Sequence, residues 1–234
     1  MVKNCTIRPP FFEIGPKSYL YGQDILDLAV AADAAAEKYD IDIIFTTPIV
    51  EIARVKALTK RIHVFAPHMD PLRPGRGLAD ILPESLVAAG AEGVMLNHAE
   101  RPVTISVLRE TILRADEVGL ATIVCADSIK EAEMIARLKP NIIVAEPTEL
   151  IGTGITNGPE YIKAAVDAVK NVDPDILVLP AAGISGGEDV YNTILAGADA
   201  TGSSSAVAKA ADRAAMVDEM IGAVRRAWTD RHAK

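Results

Sequence analysis

Residues 121–146 read ATIVCADSIKEAEMIARLKPNIIVAE. The run 121–126 is apolar and of the length of a buried strand. Ser128 follows it as a helix N-cap, with Glu131 three residues on, the spacing of a capping box. The helix stops near Lys139-Pro140, because the residue before a proline resists the α conformation. A second apolar run, 141–146, then begins. A strand, a helix and another strand in this order form the crossover unit of a parallel sheet.

The alternation continues outward in both directions. Further strands are expected at 11–15, 41–46, 63–66, 93–96, 176–180 and 198–202. Helical patterns lie between them; in 103–118, Ile105, Leu108 and Ile112 recur on one face. Eight strand–helix units in 234 residues match one closed (β/α)8 barrel spanning 1–234. An open doubly wound sheet is the competing arrangement. The barrel is preferred because polar residues cluster after many strands, and a barrel gathers those positions at its C-terminal mouth. No linker, low-complexity stretch or strong repeat interrupts the pattern.

Half of the residues are hydrophobic and only 4% aromatic, a composition of small and branched aliphatics suited to a parallel sheet under helices. The net charge is -8 and the basic residues are scattered, which argues against nucleic-acid binding. A small anion remains possible, held by backbone N–H groups and a local lysine. Cys5 and Cys125 form no metal-like or redox-like pair, and Cys125 reads as a buried thiol. The apolar runs are too short for a bilayer and the first residues resemble no signal peptide, so a cytoplasmic protein without membrane partners is expected.

Three polar residues just beyond strands are chemically matched: Lys17, His98 and Glu146. Converging in a dry pocket, they suit proton transfer beside a carbonyl. The carboxylate takes the α-proton, the imidazole donates to the carbonyl oxygen, and the ammonium offsets the developing charge. Each alone has an ordinary reading as a solvated, capping or loop residue. His63 and His68, with Asp70, raise a metal site, but residues five apart on an extended segment face opposite ways, and neither metal nor cofactor is expected. Glycine-rich segments follow the last three strands: 151–154, 182–187 with Gly183 and Ser185, and 201–205 with Gly202, Ser203 and Ser204. Glycine lets backbone N–H groups approach an anion, and barrels commonly bind phosphate after strands seven and eight. Ser203 to Ser205 also suit the cap of a following helix.

Four motifs resemble the triose-phosphate isomerase family, particularly its short archaeal-type form. They are Leu96-Asn97-His98-Ala99-Glu100, Val124-Cys125-Ala126-Asp127, the stretch 144–154 (VAEPTELIGTG), and the stretch 182–190 (AGISGGEDV). The resemblance implies Glu146 as base, His98 as neutral electrophile and Lys17 as a substrate contact. It also implies Glu100 as a supporting carboxylate and a lid from Pro147 to about Thr156. The Gly152 N–H, Ser185 and the 202–204 region would hold phosphate. A homodimer or homotetramer is implied as well, with the loop 68–77 in the subunit contact.

The departures lie at the edges. The family usually carries Asn-x-Lys after the first strand, whereas this chain has Gly15-Pro16-Lys17. The usual Ser between the His and the Glu is Ala99, and the last phosphate loop carries extra serines. The expected substrate is therefore a triose phosphate, then a tetrulose or another short ketose phosphate. An aldolase or epimerase, and a relative that only binds a sugar phosphate, are the competing functions.

Overall fold

The computed structural model describes residues 6–148 and 158–233. The eight strands are β1 (Phe11–Ile14), β2 (Asp42–Thr46), β3 (His63–Ala66), β4 (Gly93–Leu96), β5 (Ala121–Ala126), β6 (Ile142–Ala145), β7 (Leu177–Pro180) and β8 (Ala200–Ser203). Each of β1 to β6 pairs in parallel with the next, and β8 returns to pair with β1. This is a nearly closed (β/α)8 barrel.

The last seam, between β7 and β8, is stitched differently. Asp199 N–H donates to the Val178 carbonyl at 3.2 Å, and the Asp199 carboxylate accepts from Val178 N–H at 2.9 Å. Pro180 has no N–H for the ladder, and its carbonyl accepts from the Thr201 hydroxyl at 2.9 Å. Strand β8 accordingly starts at Ala200, two residues later than the sequence pattern suggests, because Asp199 spends its side chain on the seam.

Helices connect the strands and cover the sheet. They are α1 (Gln23–Tyr39), α2 (Ile52–Leu58), α3 (Pro83–Ala88), α4 (Ile105–Val118), α5 (Ile129–Ala136), α6 (Pro159–Lys170), α7 (Gly187–Leu195), α8 (Ser205–Ala208) and α9 (Arg213–His232). Helix α4 starts two residues after the expected 103, since Thr104 takes the N-cap and accepts from Val107 N–H at 3.3 Å. Ser128 caps α5 as expected, accepting from Glu131 N–H at 3.2 Å. The return arm of the capping box is displaced by one residue: Glu131 Oε2 accepts from Asp127 N–H at 2.7 Å. Helix α5 ends at Ala136, short of Lys139-Pro140, and Lys139 takes a left-handed φ of 59° before the proline. Among the described residues, no helix is long and apolar enough to cross a membrane.

Two apolar layers result. Outward strand residues such as Phe12, Ile43, Val64, Val94, Val124 and Ile143 pack under the helices with Ile25, Leu28, Ala29 and Ala32 of α1. Inward residues of alternate parity fill the barrel, among them Phe11, Ile44, Phe65, Ile123, Ile142 and Leu179. Gly93 has no side chain because a Cβ there would lie 2.3 Å from the Phe65 ring. Parity carries this inward face upward. Glu13 follows Phe11, Thr46 follows Ile44, Cys125 follows Ile123, and Glu146 lies two beyond Val144.

Candidate active site

These upward continuations open on a cavity of about 1130 Å³ at the C-terminal mouth. Lys17, His98, Glu100, Glu146, Gly183, Ser185, Gly202, Ser203 and Ser204 all line it. Residues that the chain separates by nearly 190 positions thus meet, as strand ends of a barrel must. Gly152 lies outside the described residues, as does most of the expected lid.

The turn after β1 presents Lys17 with a left-handed φ of 49°. Its Nζ lies 3.1 Å from Glu100 Oε1. Glu100 is 65% exposed, so this pair fixes a direction more than it adds stability. After β4, Asn97 also has a positive φ, 56°, and its side chain spans the turn. It donates to the Cys125 carbonyl at 3.0 Å and accepts from Val103 N–H at 3.2 Å. This turn delivers His98, whose Nδ1 accepts from Glu100 N–H at 3.0 Å. An accepting Nδ1 is unprotonated, so in the neutral ring Nε2 carries the proton. Burial, then the positive charge of Lys17, hold the imidazole below its usual pKa and keep it neutral.

Glu146 follows β6, its N–H donating to the Ala126 carbonyl at 2.9 Å. Burial raises its pKa, while Lys17 and the Ala182 backbone N–H pull it back and Glu100 adds to the rise. A carboxylate raised in this way is a stronger base than one in water. A second cavity of about 340 Å³ lies on its other side, lined by Ala99, Cys125, Glu131 and Thr148. Ala99 offers no hydroxyl there. Thr148, at the start of the expected lid, donates its N–H to Asp127 at 2.7 Å.

The anion side is only partly free. Ser185 N–H and Oγ both donate to Asp189, at 2.9 and 2.6 Å. Ser203 is the last residue of β8 rather than a loop residue, and its Oγ donates to the Ile184 carbonyl at 3.3 Å. Ser204 occupies the N-cap position of α8 but makes no side-chain cap, and its buried Oγ has no partner. The two histidines at the start of β3 and just beyond its end part company. His63 Nδ1 faces Glu92 at 2.7 Å, whereas His68 faces Asp70 at 3.4 Å and lines the cavity.

The model of the family described as "Triosephosphate isomerase" matches residues 17–220. The chain belongs to the triosephosphate isomerase family. It is accordingly an isomerase of the intramolecular oxidoreductase kind. Relatives named triosephosphate isomerase include that of Sulfurisphaera tokodaii, 37% identical over 92% of this chain and 95% of its own length. Those of Saccharolobus solfataricus and Methanosarcina mazei are 34% and 32% identical, over 94% and 91% of this chain and 99% and 97% of theirs. The family match begins at Lys17, so β1 lies before it.

Sequence reasoning missed four lining residues: Glu13, Thr46, Arg101 and Lys209. Glu13 and Thr46 were findable as polar residues on the inward parity of apolar strands. Lys209, whose ammonium lies 4.9 Å above the Tyr19 ring, and Arg101 carry no such pattern.

Proposed function

We propose that this triosephosphate isomerase family member interconverts dihydroxyacetone phosphate and glyceraldehyde 3-phosphate through an enediolate. The observation that carries the reading is one shared cavity. In it a half-buried, raised carboxylate faces a neutral histidine whose Nε2 bears a proton and an ammonium tied by Glu100. Glu146 takes the α-proton, His98 donates to the carbonyl oxygen, and Lys17 offsets the charge that develops there. Glu100 serves as a positioning residue: its backbone N–H orients His98 and its carboxylate orients Lys17. Gly183, Ser185, Gly202, Ser203 and Ser204 form the phosphate end, together with Gly152; Ser185 exchanges Asp189 for the phosphate oxygens when ligand enters.

Incubation of the protein with dihydroxyacetone phosphate in deuterated water, followed by proton NMR, tests this. Aldose formation or deuterium incorporation, both absent in Glu146→Gln, is the expected result. No exchange under any condition would overturn the triose reading and turn attention to longer ketose phosphates.

We further propose a homodimer or homotetramer joined through the loop after β3. Residues 73–80 are exposed, and Leu78 is 95% exposed at its tip. A subunit contact through this loop would cover that side chain. Light scattering at micromolar concentration should give more than the monomer mass, and Leu78→Asp should reduce it.

A further inference from the structure

The floor of the cavity, at the ends of β1 and β2, holds a carboxyl group that the chemistry above does not use. Glu13 is 8% exposed and points into the barrel mouth, where its Oε1 has no hydrogen-bond partner. The Thr46 Oγ1 beside it is also buried without one; it lies near the carboxyl but outside hydrogen-bond geometry. Buried polar atoms are seldom left unpaired. Two of them lining one cavity mark a place where a ligand completes the set.

The backbone makes room for this carboxyl from two sides. A Cβ on residue 15 would lie 2.9 Å from Glu13 Oε1. A Cβ on residue 202 would lie 2.9 Å from the Glu13 carbonyl oxygen and 3.1 Å from Oε2. Gly15 is the position where the family pattern has asparagine. The Glu13 carboxyl, reaching forward from two residues earlier, therefore fills the volume that a side chain on residue 15 would take. Its register partner on β8 is Gly202, at the phosphate end, and Lys17 lies just beyond it on its own turn.

We propose that Glu13, in its neutral form and together with Thr46, is a substrate-contacting residue that donates a hydrogen bond to a ligand oxygen between the phosphate loops and Lys17. The inference rests on the sugar-phosphate reading above. Its chemistry is selective: a carboxylic acid can donate to an anionic or carbonyl oxygen, whereas a carboxylate there would repel it. Burial is the main cause that raises the Glu13 pKa, to about 7. The Thr46 hydroxyl lowers it, Glu146 from β6 raises it, and Lys17 lowers it. The buried Cys125 thiol faces the same space from β5. Above that pH, binding a sugar phosphate must draw a proton from solvent onto Glu13, with no bond broken elsewhere.

Calorimetry in two buffers of different ionisation enthalpy counts that proton. The host is Glu146→Gln, which removes turnover and the competing carboxylate, and the probe is dihydroxyacetone phosphate at pH 8, where the phosphate is already dianionic. Uptake of about one proton per ligand is expected, falling to near zero when Glu13→Gln is added. In the active enzyme, KM should rise about tenfold per pH unit above 7, and Glu13→Gln should flatten that limb. Equal proton uptake with and without Glu13 would overturn the proposal. Turnover by the wild type is scored separately, so a protein that binds and takes up the proton without isomerising refutes the triose reading and leaves Glu13 standing. Failure to bind both dihydroxyacetone phosphate and inorganic phosphate overturns both. If Glu13→Gln folds poorly by circular dichroism, the double variant Glu13→Ala/Gly15→Asn supplies the missing volume from residue 15. It should show the same loss of proton uptake.

Discussion

The two sides of the mouth are finished to different degrees. On the β4 and β6 side, the polar groups already have partners inside the chain. His98 accepts from Glu100 N–H, Asn97 spans its turn, and Glu146 feels both Lys17 and the Ala182 N–H. On the β1 and β2 side, Glu13 Oε1 and Thr46 Oγ1 are buried with none. The first side is preorganised, as groups that act on a developing charge need to be. The second is complete only with a ligand in place. The contrast separates the half proposed for proton transfer, which keeps the family's His and Glu, from the half proposed for recognition, where Gly15 stands in place of the family's Asn.

The harshest test of the first half is Glu146→Gln, which keeps the shape and deletes the base. A fall in kcat of about 10³-fold is expected with ligand affinity retained. The wild-type profile should also lose activity as pH falls through the raised pKa of Glu146, since only the ionised form accepts a proton. That acid limb belongs above the ordinary carboxylate range. An unchanged kcat in the variant would move the base elsewhere. His98→Gln comes next: it still offers a donor but not the imidazole geometry, so kcat should drop by about 10²-fold with little change in KM. Loss of ligand binding instead would place His98 on the recognition side.

The second half makes its own demand on stability. The folded-state pKa of Glu13 is raised from 4.5 to about 7. The folded protein therefore holds this proton more tightly than the unfolded chain does. Stability from this group is fully present below about pH 4.5 and is lost as pH rises to 7. At 1.36 kcal/mol per pH unit, the loss is about 3 kcal/mol in ligand-free protein. Denaturant unfolding at pH 5 and pH 8 should show that decline in the wild type and a much smaller one in Glu13→Gln. Equal declines would mean that Glu13 ionises without penalty and that the floor is wetter than its burial suggests.

The halves also differed in how far the sequence revealed them. The eight strands were legible because short apolar runs between helical stretches have few other readings. The caps at Ser128 and the matched trio Lys17, His98 and Glu146 were legible because each sits just past a strand. What could not be read was where donors are spent. Nothing in the sequence shows that Asp199 replaces a ladder bond, that Asp189 holds both donors of Ser185, or that Glu131 reaches Asp127 instead of the cap residue. Glu13 was overlooked for a different reason. A single acidic residue in Phe-Phe-Glu-Ile looks like an interruption of a strand until parity places it beside Phe11 on the inner face.

Thr46 gives the smallest and most discriminating test. It has the inward parity of Ile44 and ends β2 next to Glu13, with 5% of its surface exposed and its hydroxyl unpartnered. Thr46→Val is nearly isosteric and removes only the hydroxyl. If that group were merely tolerated in the core, its loss should leave KM alone and stabilise the ligand-free protein slightly, since an unpaired buried hydroxyl is costly. If it completes its bonding on the ligand, KM should rise by about two- to tenfold, the worth of one neutral hydrogen bond, while kcat changes little. Thr46→Ser, which keeps the hydroxyl but frees its rotation, should recover most of the affinity. A rise in KM together with a gain in ligand-free stability is the signature of a residue left unsatisfied by the fold for the sake of the substrate. A kcat loss of the size expected for His98→Gln would instead erase the boundary between the two halves.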